Sequence, residues 1–253
     1  MIGRGRGKPA APRDSIFSFF RCIMIRFVLA SVALAFLMGV VGLPAFGQQE
    51  MRLDVFSKTY SPNKAIPGWD SRKISPIFGS GDRFFFQFVH KSDQEQYLHL
   101  KSGKNNSFSV GSEKRFQLRD WPILEWEWKV TQFPKGGDVR VKALDDQAGA
   151  ICVVVNPGLI GFDSLCYLWE NDGPKETAIT STKRDDSKYL ILRTAKADPT
   201  GDWVKERRNI FEDYKRLFGR EPKKEAVIGV QIDSDDTASS GEAFYRRIYL
   251  RKQ

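Results

Sequence analysis

Histidine is scarce in this chain of 253 residues, and the short motifs of several common enzyme classes are absent. The two histidines, His90 and His99, both lie in segments with the pattern of strands. A histidine-based triad or a multi-histidine metal site would have to use both of them. The sequence also lacks Gly-x4-Gly-Lys-Ser/Thr, His-Glu-x-x-His and Gly-x-Ser-x-Gly. P-loop nucleotide chemistry, zincin-type proteolysis and α/β-hydrolase chemistry are therefore excluded.

Cysteine is nearly as scarce, with three in the chain. Cys152 and Cys166 lie on two apolar runs on either side of Asn156-Pro-Gly158. If these runs form a hairpin that turns near Leu159–Ile160, the two thiols lie nearly opposite each other and can form a disulfide. The alternative is two buried free thiols that behave as small hydrophobic side chains. The choice depends on strand register, which the sequence does not fix.

An apolar run from Phe27 to Leu43 is typical of a secretory signal. Arg26 precedes the run, and small residues lead to a cleavage site after Gly47. We therefore predict that residues 1–47 are a signal peptide of a periplasmic or secreted protein. The alternative is an uncleaved membrane anchor, for which a run of this length is short. A start at Met24 would give a compact signal peptide, and we expect Met24 to be the true start.

The mature chain has no strong excess of either charge. The whole chain has 40 basic and 31 acidic residues, of which residues 1–47 hold six basic and one acidic. The mature chain therefore has 34 basic and 30 acidic residues. A nucleic-acid-binding protein usually shows a clustered basic patch. The mixed runs at 205–208 and 220–224 are interpreted instead as solvated faces. We therefore expect no nucleic-acid partner, and no membrane span after cleavage.

Residues 122–131 have the clearest strand pattern in the chain. Apolar and polar side chains alternate in the order Leu124, Glu125, Trp126, Glu127, Trp128, Lys129, Val130 and Thr131. Side chains of a strand point to alternate faces, so this pattern predicts a half-buried antiparallel strand. Two indoles on one face each supply roughly 150–250 Å² of surface for a core.

Further strand patterns follow at intervals of about 8–12 residues, with turn signals between them. They lie at 52–58, 83–90, 96–101, 107–110, 114–118, 138–144, 148–155, 164–170, 176–181, 188–194, 226–233 and 243–251. This spacing predicts an all-β fold, a jelly-roll-like antiparallel β-sandwich. No repeat or linker divides residues 48–253, which we predict to be a single domain.

One segment has helical rather than strand periodicity. Asn209 and Glu212 resemble a capping box, and apolar residues keep helical spacing from Ile210 to Gly219. Pro222 then prevents continuation. The pattern predicts one short amphipathic helix that packs against a sheet.

From Trp126 onward, the order of motifs is similar to that of a known family. The motifs are Trp126-Glu-Trp-Lys-Val130, Asp138, Asp145-Asp146, Tyr167-Leu-Trp169, Trp203, Glu206-Arg-Arg-Asn209, Asp213-Tyr214, Phe218-Gly219, Asp233-Ser-Asp-Asp-Thr237 and Ala243–Ile248. The chain in this way resembles the exported bacterial proteins of the domain-of-unknown-function 3047 family. The resemblance covers about the last 130 residues, and more loosely the region from Gly68. It implies a secreted, mostly β domain and assigns no functional residues, while Cys152 and Cys166 depart from the expected apolar or small residues.

Acidic residues cluster in two predicted loops. Asp145 and Asp146 precede one strand, and Asp233, Asp235 and Asp236 end another. Clustered carboxylates either bind a hard cation such as Ca²⁺ or lie apart in water, because like charges repel. The spacing is not that of an EF-hand, since Gly and Glu are missing from its sixth and twelfth positions. A loop Ca²⁺ site and solvated turn aspartates both remain open.

Four tryptophans outside the central strand are candidates for stacking against sugar rings. They are Trp69, Trp121, Trp169 and Trp203. Most large aromatic residues lie in a core, so only some of the four are expected to contact a ligand.

Paired carboxylates suggest an enzymatic alternative. Glu125 and Glu127 share one strand face at a Cα spacing of roughly 6.6–6.8 Å, which is compatible with a glycosidase pair. The competing interpretation is that both glutamates face water or pair with Lys or Arg on a neighbouring strand.

The sequence thus predicts an exported β-sandwich that binds a carbohydrate or another cell-envelope component without chemical conversion. Two alternatives remain: a glycan-active hydrolase that uses the acidic loops, and a structural protein of the cell envelope. Exposed aromatic side chains in a groove would favour binding, whereas two carboxylates in a cleft, one with a perturbed pKa, would favour catalysis.

Overall fold

The computed structural model of the protein describes residues 49–64, 66–70, 84–103, 106–157 and 161–253. The strands in these ranges are β1 (Glu50–Arg52), β2 (Trp69–Asp70), β3 (Phe84–Ser92), β4 (Glu95–Ser102), β5 (Ser107–Ser112), β6 (Ile123–Gln132), β7 (Gly149–Val155), β8 (Asp163–Glu170), β9 (Ala178–Thr180), β10 (Ser187–Thr194), β11 (Val204–Asn209), β12 (Ala226–Asp233) and β13 (Gly241–Arg251). These ranges contain one α-helix, α1, which spans Ile210–Phe218. The predicted signal peptide lies outside the described residues. Within them, no helix has the length and apolar character that a membrane crossing requires.

The strands form two sheets. One has six strands, in the order β11-β6-β13-β4-β3 with β1 added against β13, and the other has seven, in the order β2-β5-β12-β7-β8-β10-β9. Neighbouring strands are antiparallel in every described pair except β8 and β10. The prediction of a mostly antiparallel, jelly-roll-like β-sandwich is confirmed. The parallel pair was not predicted.

The core lies between the two sheets, and β6 supplies much of it. This strand pairs with β11 on one side and β13 on the other, and its predicted apolar face is fully buried. The Trp126 ring centre lies 5.5 Å from that of Tyr167, and the Trp128 ring centre lies 5.3 Å from that of Trp169. Because Tyr167 and Trp169 belong to β8, these aromatic pairs join one sheet to the other.

Helix α1 begins and ends as predicted. The Asn209 side chain accepts a hydrogen bond of 3.0 Å from the backbone N–H of Glu212, which caps the N-terminus. Gly219 follows the helix with a φ of 66°, a left-handed conformation that glycine adopts without a steric penalty. Ile210 and Tyr214 are buried against the core.

The predicted strand at 138–144 is wrong. The segment is a loop that ends in one turn of 3-10 helix, Lys142–Leu144. The carboxylate of Asp138 accepts hydrogen bonds from the backbone N–H of Arg140, at 3.0 Å, and from its guanidinium, at 2.7 Å. These local bonds favour a turn over pairing with another strand.

Two further strand predictions need correction. The predicted strand at 52–58 is replaced by the shorter β1, after which the chain leaves the sheet. Asp54 is buried there, and its carboxylate accepts hydrogen bonds from the backbone N–H groups of Arg247, at 2.6 Å, and Ile248, at 2.9 Å. Residues 114–118 form only an isolated bridge instead of a strand.

Strand β11 was missed because its charged residues were interpreted as a solvated face. Only alternate residues face outward. Lys205 and Arg207 contact Glu125 on the outer surface, whereas Glu206 accepts a hydrogen bond of 3.3 Å from the indole N–H of the core residue Trp128. The charges of β11 therefore bind it to β6.

Strands β7 and β8 pair antiparallel, as predicted for a hairpin. The turn predicted near Leu159–Ile160 lies outside the described residues. Cys152 pairs directly with Cys166, with their Cα atoms 4.1 Å apart, and the two sulfurs are bonded. The structure therefore has the disulfide rather than two free thiols.

Candidate functional site

A pocket lies on the outer face of the seven-stranded sheet, the face turned away from the other sheet. In β7, Ile151, Val153 and Val155 point into the main core, so Cys152 and Val154 point outward. The outward residues belong to a second, smaller hydrophobic cluster. This cluster and the disulfide form an apolar floor.

Polar side chains surround the floor and supply both hydrogen-bond donors and acceptors. They include Ser109, Asp145, Lys183, Gln231, Asp233 and Asp235. The cavity volume of the pocket is about 70 Å³, which is small beside the roughly 300–1,000 Å³ that is usual for small-molecule sites.

The loop at 181–187, between β9 and β10, forms one wall of the pocket. The guanidinium of Arg184 lies 4.2 Å from the ring centre of Phe162 and donates hydrogen bonds of 2.9 and 2.8 Å to Asp186. A cation over an aromatic face is attracted by the ring quadrupole, so this contact helps to fix the loop against the floor. The loop also carries Lys183.

The five aspartates that the sequence grouped as a cation site lie together at one end of this pocket. The two loops meet because β7 and β12 are antiparallel neighbours, so the start of one lies beside the end of the other. Carboxylate oxygens of Asp146, Asp233 and Asp235 lie within 4.8 Å of one another. Asp146 also accepts a hydrogen bond of 3.1 Å from the backbone N–H of Asp236, and Asp145 lines the pocket wall.

Lys183 places one positive charge among these carboxylates. Its Nζ lies 2.5 Å from Asp236, 3.8 Å from Asp235 and 4.0 Å from Asp145. Burial alone would lower the pKa of Lys183, but the contact with Asp236 and the neighbouring carboxylates raises it. Lys183 is therefore cationic at neutral pH and offsets part of the negative charge.

Two of the pocket carboxyls are strongly perturbed. Burial raises the pKa of Asp145 to about 7, against the opposing charge of Lys183. Burial, followed by the nearby Asp235 carboxylate, raises the pKa of Asp233 well above its usual range. For Asp145 and Asp233, burial therefore favours the protonated form.

Glu170 is a further buried carboxyl that the sequence analysis did not single out. It ends β8 on the same outward face as Cys166 and Leu168 and is 0 % exposed. Neither of its carboxyl oxygens has a hydrogen-bond partner among the described residues. Burial, followed by the charges of Asp138 and Asp145, raises the pKa of Glu170 to about 8.

Trp69 and Trp169 lie in the core, so their predicted role as sugar-stacking residues is corrected. They are 3 % and 0 % exposed, respectively. The indole N–H of Trp69 donates a hydrogen bond of 3.0 Å to the backbone oxygen of Leu53, and Trp169 packs on Trp128. Neither ring has a face open to a ligand.

The other two predicted tryptophans are half-buried, and neither lines the pocket. Trp121 packs at the edge of the core. Trp203 lies on the outer face of the six-stranded sheet beside Tyr97 and Phe244, and the Arg246 guanidinium covers its ring at 4.0 Å. Trp203 is thus distant from the aspartates, since the two groups lie on opposite outer faces.

Glu125 and Glu127 pair with cations, as one of the two interpretations predicted. Arg207 lies 2.6 Å from Glu125, and Arg246 lies 2.6 Å from Glu127. Burial alone would raise the pKa of each glutamate, but Arg251 and Lys205 lower that of Glu125, and Arg247 and Arg246 lower that of Glu127. A glycosidase acid needs a raised pKa, so this pair does not fit that role.

Sequence reasoning missed the partners of the aspartates in the pocket. Gln231 carried the clearest signal, because it is an outward polar residue in the otherwise apolar strand β12. Lys183 carried none, because a lysine in a charged loop is normally solvated.

The fold and the pocket define a β-sandwich protein with a polar site on one outer sheet face. The chain belongs to the family described as protein of unknown function (DUF3047), whose model matches residues 82–249. This match confirms the resemblance seen in the motifs. No match to a curated protein was found.

Three solved structures are among those that resemble this chain at low sequence identity. The family 11 carbohydrate-binding module of cellulosomal cellulase Lic26A-Cel5E of Clostridium thermocellum is 11 % identical with a TM-score of 0.44, over 81 % of this chain and 96 % of the module. Endoglucanase 3 from family GH12 of Trichoderma harzianum is 11 % identical with a TM-score of 0.39, over 83 % and 99 %. The xyloglucanase domain of NopAA from Sinorhizobium fredii is 10 % identical with a TM-score of 0.38, over 71 % and 99 %. With TM-scores under 0.5, these similarities carry no argument about this chain.

Proposed function

We propose that this protein binds a carbohydrate in the pocket on the outer face of the seven-stranded sheet and does not convert it chemically. The observation that carries the proposal is the combination of an apolar floor with convergent polar side chains. A sugar presents C–H surfaces and hydroxyl groups together, so it needs both kinds of contact. Pockets of this composition fix a small ligand by a few placed polar groups over an apolar surface.

The polar groups suit hydroxyls because each hydroxyl both donates and accepts a hydrogen bond. Asp235 is partly exposed, and its carboxyl oxygens can accept hydrogen bonds from a hydroxyl. Gln231 offers both a donor and an acceptor on the floor of the pocket, and Lys183 offers N–H donors at its wall.

Native gel electrophoresis through soluble polysaccharides tests this proposal. The mature protein is expected to be retarded by at least one neutral or acidic polysaccharide relative to a gel without polymer. Gln231→Leu keeps the size of the side chain but removes its hydrogen bonds, and is expected to weaken binding about tenfold. Gln117→Leu is the matched control, because Gln117 is exposed and outside the pocket lining.

The same gels separate the alternative functions. Migration unaffected by every polymer would contradict the proposal and favour a structural role. Equal binding by Gln231→Leu and Gln117→Leu would show that the sugar binds elsewhere. The outer face that carries Trp203 would then be the first alternative. Release of reducing sugar ends from a bound polymer would show a hydrolase instead.

We also propose that the protein is exported and acts in the periplasm or outside the cell. The support is the leader pattern at residues 1–47 and the disulfide between Cys152 and Cys166, a bond that persists mainly in oxidising compartments. Intact mass spectrometry of the non-reduced protein from the periplasm is expected to show a start at about Gln48 and no free thiol. An intact leader in the membrane fraction, or two alkylated cysteines, would contradict this.

A further inference from the structure

Three carboxylates from two loops converge at the end of the pocket. Oxygens of Asp146, Asp233 and Asp235 lie within 4.8 Å of one another, although Asp146 is almost ninety residues from the others in sequence. Asp146 and Asp233 are 0 % and 6 % exposed, whereas the Asp235 side chain is 42 % exposed. The group is therefore buried on one side and reachable from solvent on the other.

A second observation points to a missing ligand. Asp145 is 2 % exposed and lines the same pocket as Asp233 and Asp235, yet its Oδ1 has no hydrogen-bond partner among the described residues. In the same loop, the side-chain oxygen of Gln147 is also buried without a partner. Buried polar oxygens are nearly always satisfied, so the open Asp145 oxygen in the pocket that Asp233 and Asp235 also line favours a bound cation.

We propose that Asp146, Asp233 and Asp235 bind a hard divalent cation, calcium, and that Asp145 and Gln147 supply further oxygen ligands. Calcium takes six to eight oxygens from carboxylates, amide carbonyls and water, at about 2.3–2.6 Å. It tolerates irregular geometry, which suits ligands drawn from two loops, whereas magnesium requires a near-ideal octahedron. The metal site shares Asp235 with the proposed sugar site, but its test uses no sugar, so the two proposals can fail separately.

Lys183 determines how tightly the ion binds. Its ammonium lies 3.8 Å from Asp235 and 4.0 Å from Asp145, so it opposes a second cation nearby. It does not form an ion pair with Asp146 or Asp233. Asp146 instead accepts hydrogen bonds from Asp236 and Thr237, and a bound cation would add to these contacts. Loss of this ammonium is therefore expected to tighten calcium binding.

The competing interpretation is that the aspartates only tie the loops together. Asp146 supports it, since its carboxylate accepts hydrogen bonds from the backbone N–H groups of Asp236 and Thr237, at 3.1 and 2.7 Å. In that case Lys183 is the only cation the cluster needs, and removing it weakens the fold without creating a response to calcium. The two interpretations thus differ in a measurable response to calcium.

Thermal unfolding and calorimetric titration with calcium chloride, without any sugar, test the site. At a hundredfold excess over Kd, calcium is expected to raise the melting temperature of the EDTA-treated protein by roughly 5–10 °C. Asp235→Asn should abolish most of this rise, because the substitution removes one of the three carboxylates. Asp235 is exposed enough for the variant to fold. Asp172→Asn should keep it, because Asp172 is also exposed but pairs with Lys196.

Two results would overturn the proposal. One is a melting temperature and a titration that do not respond to calcium. The other is an equal response in Asp235→Asn and the wild type. Lys183→Met provides an independent check, because its calcium affinity is expected to rise about tenfold or more. An affinity that does not rise would contradict the placement of the ion beside this ammonium.

Discussion

Replacing Trp126 with alanine is expected to lower the free energy of unfolding by about 3–5 kcal/mol, the usual cost of deleting a large buried aromatic side chain. Trp126 is fully buried, and its ring contacts Trp128 in the same strand and Tyr167 in the opposite sheet. Its indole N–H has no hydrogen-bond partner among the described residues, so the loss is one of packing alone. Urea denaturation of the mature protein measures the effect, and Trp128→Ala should cost about as much.

Trp203→Ala is the matched control for this experiment. Trp203 is half-buried on the outer surface, where substitutions seldom cost more than about 1 kcal/mol. Near-equal losses for Trp126→Ala and Trp203→Ala, or wild-type stability of Trp126→Ala, would contradict the place of β6 at the centre of the core.

The second large effect is a dependence of stability on pH that originates at Glu170. Burial raises its pKa to about 8, so between about pH 4.5 and 8 the folded protein keeps a proton that the unfolded chain releases. Unfolding is then favoured as the pH rises, by about 1.4 kcal/mol per pH unit. Across this range, the free energy of unfolding falls by a total on the order of 3–5 kcal/mol. The contribution of Glu170 to stability is fully present below the pKa that its carboxyl group has in the unfolded chain.

Glu170→Gln tests this dependence because glutamine has no titrating proton. The stability of the variant relative to wild type is expected to rise steadily from pH 5 to pH 8, measured by urea denaturation in EDTA. Comparing slopes removes any constant effect of the buried amide. Glu95→Gln, at an exposed glutamate paired with Lys91, is expected to leave the slope unchanged. Parallel pH profiles for Glu170→Gln and wild type would show that Glu170 is ionised in the folded protein.

Much of the fold could be predicted from the sequence because its determinants are local. Alternation in β6 and the capping residues of α1 each lie within about ten residues of chain, and both predictions are confirmed. The errors occurred where tertiary contacts override the pattern. The segment 138–144 has strand propensity but finds no partner strand, and β11 has a charged sequence but finds its counterions on β6.

The site was only half accessible to sequence reasoning. The aspartates in the two loops indicated the site from the sequence. The two loops come together only because β7 pairs with β12, and the paired residues of these strands are some 75 positions apart in sequence. No local pattern reveals such a pairing, nor that Lys183 would enter the cluster. The prediction that tryptophans bind sugar was partly wrong for a related reason. Residue type alone does not show whether an indole lies in the core, as that of Trp169 does, or at the surface.

Hydrogen–deuterium exchange with a polysaccharide that retards the protein tests the central proposal most directly. Binding in the pocket is expected to slow exchange in the loop at 181–187, which forms the wall of the pocket and carries Lys183. Exchange around Trp203, on the opposite outer face, is expected to stay the same. Protection confined to the strands around Trp203, with the loop at 181–187 unchanged, would contradict a carbohydrate site in this pocket.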